Sequence, residues 1–313
     1  MNGLEATATF PLRDYDLAAT LTCGQAFRWQ GRDPVWIGVI GGRWVRLDAG
    51  AGQLRAETAE PVPDWDWLAH YLQLAADLRE VLRTFPDDEP MRAAVAACRG
   101  LRLLRQDPWE CLASFILSSA RQIVQIRQVV AVLCERYGRP LAVPPGSAPA
   151  FAFPSPARLA RATEAELRAC GMGFRASYLL ATARQVAGRQ FDLARLRGLP
   201  MESARLELMR LPGVGRKIAD CVLLFGYGFP SAFPVDVWVM KALRQFYFPR
   251  RRVGAARLHR FAAEHFGPRA GYAQQYLFHY MRMREAVAEG FEDKHPLPEG
   301  PNRRSSGASR KRV

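Results

Sequence analysis

The chain has 313 residues, is 49% hydrophobic and carries a formal net charge of +14, with a pI near 10.1. That is enough apolar content for a core and enough length for two domains or one large one, and the basic balance suits a polyanion, most commonly nucleic acid. It excludes a transmembrane helix, since no run of 18 apolar residues occurs. The first residues, MNGLEATATFPLRDYD, lack a basic segment followed by an apolar one, so no secretory signal is expected. The six cysteines (Cys23, Cys98, Cys111, Cys134, Cys170 and Cys221) match neither a zinc site nor a disulfide framework, and a reduced, intracellular protein is expected. Pro296–Val313 holds five basic residues and one acidic one; without it the body still carries about +10.

In chain order, Phe10–Thr58 reads as β-rich. Ala26–Trp29, Val35–Ile40 and Arg43–Leu47 are aromatic and β-branched, and Gly41-Gly42 between the last two is a hairpin signal. From Asp64 the spacing becomes helical, through Trp67, Leu68, Tyr71, Leu72, Ala75 and Leu78. Further helices are expected at Pro90–Arg99, Pro108–Leu117, Ile123–Tyr137, Glu164–Ala169, Ala176–Gly188, Glu202–Arg210, Lys217–Gly226, Val237–Phe246, Ala255–Phe266 and Ala270–Glu289. The proline-rich Val143–Pro156 reads as a surface loop, and the Gly/Ser/Arg-rich tail from about Pro296 as disordered.

The most informative stretch is Leu211–Asp236, LPGVGRKIADCVLLFGYGFPSAFPVD. Pro212 stops the preceding helix, and Gly213 and Gly215 allow a tight hairpin that another backbone can approach. The hairpin opens a helix whose buried face carries Ile218, Cys221, Val222 and Phe225. The N–H groups at such a terminus suit a DNA phosphate, gripped at Gly213, Val214 and Gly215. Lys217 lies in the first turn, where the helix dipole opposes an ammonium and favours a nucleophilic amine. Asp236 follows 19 residues later, behind Pro234-Val235. Alone it suits an N-cap, a role compatible with facing a cleft. Together hairpin, lysine and aspartate read as the helix-hairpin-helix and catalytic pair of a DNA glycosylase. The fold class is α+β: a small N-terminal antiparallel β domain with trailing helices (1–98), a large helical helix-hairpin-helix catalytic region (99–295) and a basic tail (296–313).

Three further blocks carry a family resemblance: Cys23–Trp29 (CGQAFRW), Leu103–Leu112 (LLRQDPWECL) and Gly271–Phe278 (GYAQQYLF). In that order, with the hairpin and Pro-Val-Asp, they resemble the eukaryotic-type 8-oxoguanine DNA glycosylase/lyase, over roughly Tyr15 to Arg284. The resemblance implies Lys217 as the Schiff-base lysine and Asp236 as the catalytic aspartate. It implies Gly24 as the carbonyl that accepts from N7–H of 8-oxoguanine, Cys221 and Phe278 as the residues that sandwich the flipped base, and Gln274 as the reader of its Watson–Crick edge. Phe174 matches the wedge aromatic and Arg175 an arginine that reads the opposite cytosine. Trp238 stands where a phosphate-contacting His is common. The chain departs from the pattern at Ala120, where the family generally has Asn, and at Gln125, in place of a second cytosine-reading arginine. The absence of Cys beyond Cys221 sets it apart from relatives with a four-cysteine iron–sulfur cluster. The expected partner is double-stranded DNA containing 8-oxoguanine, with no membrane involved. A monomer is expected, with no required cofactor, and the hairpin carbonyls near Gly213 and Val214 suit a structural cation. The compartment is the nucleoid-associated cytoplasm of a bacterium or the nucleus of a eukaryote. Two rivals remain: a pyrimidine- or alkylpurine-specific glycosylase of the same superfamily, and a non-enzymatic DNA-binding module.

Overall fold

The computed structural model describes residues 4–288. The expected basic tail and Glu289, the last residue of the final expected helix, lie outside them. Strands β1 (Glu5–Pro11), β2 (Gln30–Arg32), β3 (Val35–Ile40), β4 (Arg43–Gly50) and β5 (Gln53–Val62) form one antiparallel sheet in the order β1-β5-β4-β3-β2. The Gly41-Gly42 hairpin is present. Ile40 pairs with Arg43, and both glycines have positive φ (54° and 76°), as a two-residue turn matching strand twist requires. The sheet's core face buries Trp36, Ile40, Val45, Leu47, Leu54 and Ala56.

Two local expectations fail. Ala26–Trp29 is not a strand but an irregular segment that follows helix α1 (Leu17–Thr22). Its side chains serve two cores rather than alternating across a sheet. Trp29 packs with the sheet and its indole donates to the Tyr71 hydroxyl at 2.9 Å, while Phe27 meets Phe115 of the helical core edge-on. The helical spacing from Trp67 to Leu78 also breaks into α2 (Asp66–Leu72) and α3 (Leu78–Leu82). Gln73 ends α2 in the left-handed conformation.

The rest is helical: α4 (Glu89–Ala97), α5 (Pro108–Leu117), α6 (Ile123–Tyr137), α7 (Pro156–Ala160), α8 (Glu164–Leu167), α9 (Arg175–Ala187), α10 (Met201–Leu208), α11 (Arg216–Val222), α12 (Val237–Tyr247), α13 (Ala255–His265) and α14 (Ala270–Ala288). Several starts are written as a capping residue followed by proline at the first helical position. Asp107 accepts from the Glu110 N–H at 2.9 Å ahead of Pro108, and Ser155 caps α7 ahead of Pro156. Helix α7, not among the expected helices, starts at Pro156, where the loop expected at Val143–Pro156 ends. Helix α5 is buried from Cys111 to Leu117 and forms the centre of the helical core. Leu78 and Val81 of α3 and Met91 and Ala94 of α4 join that core, not the sheet's.

The hairpin joins α10 to α11. Leu208, Leu211, Val214 and Ile218 bury its apolar side. Gly213 (φ 75°) lies so close to Tyr178 that a Cβ there would stand 2.5 Å from the ring. Arg205 of α10 and Asp220 of α11, 3% and 1% exposed, form an ion pair at 2.5 Å. Removing one partner of a buried pair leaves the other charge stranded, at a cost of about 3–5 kcal/mol; Arg216, 3.9 Å from Asp220, relieves only part of this. We expect a stability loss of about that size for Arg205→Ala by urea denaturation at neutral pH, while Arg83→Ala, whose pair with Glu80 is exposed, should move stability by under about 1 kcal/mol. Equal effects would mean that the α10–α11 pair does not hold the hairpin together.

Candidate active site

One cavity of about 950 Å³ opens between the Gly24 loop, the C-terminal end of α5, the start of α6, the hairpin, and the facing parts of α11, α12 and α14. Of the residues expected in the site, Gly24, Gly213, Gly215, Lys217, Cys221, Asp236, Trp238, Gln274 and Phe278 all line it. Val214, Phe174 and Arg175 do not.

Lys217 sits in the first turn of α11, whose N-cap is Gly215. Its Nζ donates to the Ser118 hydroxyl at 3.3 Å and stands 5.3 Å from the centre of the Phe115 ring. The amine end is thereby held over α5 rather than left in solvent. Asp236 ends the extended approach to α12 and caps that helix, accepting from the Val239 N–H at 2.8 Å. Burial raises its carboxyl above the usual 3.8, against the pull of the Val239 N–H and the Lys217 charge. Cys221, one turn beyond Lys217, is buried and its thiol is pushed up to about 12, chiefly by desolvation, so it enters the cavity as an uncharged wall.

Gly24 is positioned by a clamp whose role the sequence reading did not assign. Buried Gln25 donates to the carbonyls of Thr20 and Arg102, both at 2.8 Å, and accepts from the Leu104 N–H at 2.8 Å. Gln275 of α14 donates to the Cys23 carbonyl at 3.0 Å. The loop carrying Gly24 is thus tied to the 102–104 segment and to α14. Gly24 itself has φ 84°, and a Cβ would fall 2.6 Å from Ile123 Cδ1, so a side chain here would be strained and crowded. The two glutamines belong to the Cys23–Trp29 and Gly271–Phe278 blocks. Their partners are distant along the chain, which is why the sequence alone does not disclose their roles. Gln274 is 3% exposed, and its Oε1 is buried with no hydrogen-bond partner among the described residues. An unmet acceptor on a cavity wall is costly unless a ligand supplies the donor. Phe278 is half-buried, with the Arg282 guanidinium 5.5 Å from its ring centre.

At the hairpin, the Val214 N–H donates to the Leu211 carbonyl at 3.1 Å, closing the turn on itself. That N–H is therefore committed within the hairpin, leaving Gly215 and the first turn of α11 as the outward donors. Phe174 is 51% exposed at the start of α9, edge-on to Tyr178, the ring that packs under Gly213. Arg175 is buried: its Nε and Nη2 donate to the Ser119 carbonyl, with the Nε bond at 2.7 Å, and its guanidinium lies 4.3 Å from the Phe174 ring centre. Ala120 holds a left-handed backbone (φ 51°), and the Gln125 side chain accepts from the Gln122 N–H at 3.2 Å, capping α6. Among the described residues no group of three or more His, Cys, Asp or Glu side chains is placed to hold a metal ion.

Helix, hairpin and helix beside a cavity with a lysine and a capping aspartate define the class of protein. Residues 113–267 match the HhH-GPD superfamily of base excision DNA repair proteins, and residues 8–112 match the N-terminal domain of 8-oxoguanine DNA glycosylase. The chain is 31% identical over 306 residues to a probable N-glycosylase/DNA lyase of Methanothermobacter thermautotrophicus, covering 87% of this chain and 95% of that one. It is 33% identical over 296 residues to an N-glycosylase/DNA lyase of Arabidopsis thaliana, covering 86% and 79%. The solved 8-oxoguanine glycosylase/lyase of Clostridium acetobutylicum, in complex with double-stranded DNA containing cytosine opposite 8-oxoguanine, is similar at a TM-score of 0.82 and 29% identity, over 91% of this chain and all (100%) of that one. The chain belongs to the 8-oxoguanine DNA glycosylase family of the HhH-GPD superfamily.

Proposed function

We propose that the protein excises 8-oxoguanine from duplex DNA and then cleaves the strand as a lyase, with Lys217 as nucleophile and Asp236 as its electrostatic partner. The observation that carries this reading is that both line one cavity with Gly24, Cys221, Gln274 and Phe278. The target sugar carbon is hidden in the duplex, so the nucleotide must be extruded, at a cost of a few kcal/mol. Exposed Phe174 fills the vacated stack. Cys221 and Phe278 flank the base, the unmet Gln274 Oε1 accepts from its N–H edge, and the Gly24 carbonyl takes the N7–H that guanine lacks. The Lys217 amine attacks C1′, the C1′–N9 bond breaks, and its electron pair leaves with the base, which is protonated. Ionised Asp236 stabilises the positive charge that develops on the sugar. The amine-bound sugar then opens: the C1′–O4′ bond breaks, O4′ takes up the proton that the amine gives up, and the C1′–N bond becomes an imine, which acidifies the 2′ carbon; loss of a 2′ proton expels the 3′ phosphate by breaking the C3′–O bond. These steps require no cofactor, and any structural cation belongs at the hairpin carbonyls near Gly213 and Val214.

The outward N–H groups at Gly215 and the start of α11 grip a phosphate, with Trp238 at the rim. We infer that the protein acts as a monomer beside its genome, in the nucleoid-associated cytoplasm of a bacterium or the nucleus of a eukaryote. No helix of the described residues is long and apolar enough to cross a membrane.

The test is a panel of duplexes carrying 8-oxoguanine opposite each of the four bases, scored separately for base release and strand cleavage. Absence of base release from every duplex sinks the reading. The panel also tests opposite-base discrimination. Ala120 offers no polar group, Gln125 caps α6, and Arg175 is committed to Ser119. A bidentate base contact contributes roughly 1–3 kcal/mol of discrimination, so the loss of one should narrow the preference for cytosine about tenfold or more. We expect measurable release opposite adenine, guanine and thymine. Strict cytosine specificity that survives Arg175→Ala would show that other residues read the partner base.

A further inference from the structure

A second concave surface adjoins the base cavity along α12, sharing Val237 with it. It is a groove of about 750 Å³ between one face of α12 and the loop that follows it. Val237, Met240, Lys241 and Arg244 supply the helix face at helical spacing, and Phe248–Arg252 supply the other wall. Five of the ten lining residues are cations (Lys241, Arg244, Arg250, Arg251 and Arg252), and none is acidic. Lys241 pairs with Glu285, and Arg244 donates to the Val253 carbonyl at 3.3 Å. Arg250, Arg251 and Arg252 are exposed and have no ion-pair partner among the described residues. The floor is apolar, with Phe248 buried beneath and the Arg257 guanidinium of α13 5.6 Å from its ring centre.

The groove is not isolated from the site. Val237, 75% exposed and next to Asp236, lines both it and the base cavity. At about 1.5 Å per residue, Lys241 and Arg244 lie roughly 8–12 Å along α12 from Asp236. Phosphates of one strand rise about 3.4 Å per nucleotide along the duplex axis, so with α12 laid along that axis the groove would begin about two to four nucleotides from the extruded one. Guanidinium forks match phosphate oxygens in pairs, and an apolar floor suits deoxyribose. We propose that this groove is a second backbone-binding surface, separate from the hairpin, that seats the sugar–phosphate chain of duplex DNA flanking the lesion. The proposal rests on the DNA-repair reading of the neighbouring cavity.

The test is fluorescence anisotropy of the full chain on an undamaged duplex across a salt series. It compares wild type with the triple variant Arg250→Gln/Arg251→Gln/Arg252→Gln and with the triple Arg→Lys variant. Each lost phosphate contact should flatten the slope of log K against log salt by about 0.9, so the Gln variant should lose between about 0.9 and 2.7 and bind at least about tenfold more weakly at low salt. The Lys variant should keep the slope. On a second duplex carrying one 8-oxoguanine, trimming to within about four nucleotides of the lesion, one end at a time, should weaken wild type from one end only and leave the Gln variant unmoved at that end. Arg251→Glu, at an exposed position, reports in the same direction should the triple variant not fold. An unchanged salt slope in these charge-removing variants overturns the proposal, as does loss of binding to an acidic peptide without loss of DNA binding. Failure of wild type to release 8-oxoguanine would instead count against the glycosylase reading, and the salt slope would still decide the groove.

Discussion

Lys217→Gln should abolish the covalent adduct that borohydride traps between the protein and 8-oxoguanine DNA, and should lower single-turnover base release by at least about three orders of magnitude, a loss near 4 kcal/mol of barrier reduction. The expectation follows from where the amine is held. Lys217 Nζ is fixed by the Ser118 hydroxyl and the face of Phe115 at the cavity wall, in the first turn of α11. Gln keeps most of the length of the side chain and its capacity to bond Ser118, so the fold should be unaffected. Duplex binding should survive as well, since the hairpin contact is made by backbone N–H groups rather than by the lysine. Trapping at wild-type levels in this variant would refute Lys217 as the nucleophile and move the search to another amine.

Asp236→Asn separates chemistry from capping. Asn caps a helix about as well as Asp, so the Val239 contact should persist. Removing a group that stabilises transition-state charge in a sheltered site typically costs about 10²–10³ in rate, and we expect a loss of that order in base release. The pH dependence has a definite sign. Burial raises the folded carboxyl above 3.8, and the ionised form is the one needed. Activity should therefore fall on acidification through a limb shifted upward from the ordinary aspartate value, and the Asn variant should lack that limb. The same shift acts on stability. A raised folded value means the stabilising contribution is present below the unfolded value and lost as pH rises through the folded one. Wild type should thus lose ground to Asp236→Asn over that interval, and the variant's melting temperature at neutral pH should be no lower than wild type's by more than a degree or two. A large melting loss with near-normal single-turnover release would leave Asp236 as a cap alone.

Much of the architecture was legible because its signals are local. The Asp107-Pro108 pair marks the start of α5, and Pro108 begins the expected helix at its observed first residue, whereas the same kind of pair at Ser155-Pro156 opens α7, a helix the sequence reading did not expect. Gly41-Gly42 specified its own turn. Apolar periodicity gave α6 its observed bounds, Ile123–Tyr137. Where the signal was composition alone, tertiary packing overrode it. Ala26–Trp29 has the residues of a strand, but Phe27 and Trp29 are drawn into different cores, and no partner strand is available to a segment so divided. The break at Gln73 likewise depends on α3 leaving the sheet to bury Leu78 and Val81 among the helices.

The site divides along the same line. The sequence by itself determined the chemical identities. A glycine hairpin opening a helix, a lysine in that helix's first turn and a Pro-Val-Asp cap are short-range patterns, and each is set by what its own backbone requires. Only the tertiary structure decided which groups remain available. Val214 and Arg175, expected to face DNA, spend the Val214 N–H and the Arg175 guanidinium on the Leu211 and Ser119 carbonyls. Gln125 is occupied as a helix cap, whereas Gln274 keeps an unmet acceptor in the cavity. Gln25 and Gln275 hold Gly24 in place through partners as far as 252 positions away. Hydrogen bonds are satisfied by whatever the fold brings within about 3 Å, and that is a property of the folded chain rather than of any window along it.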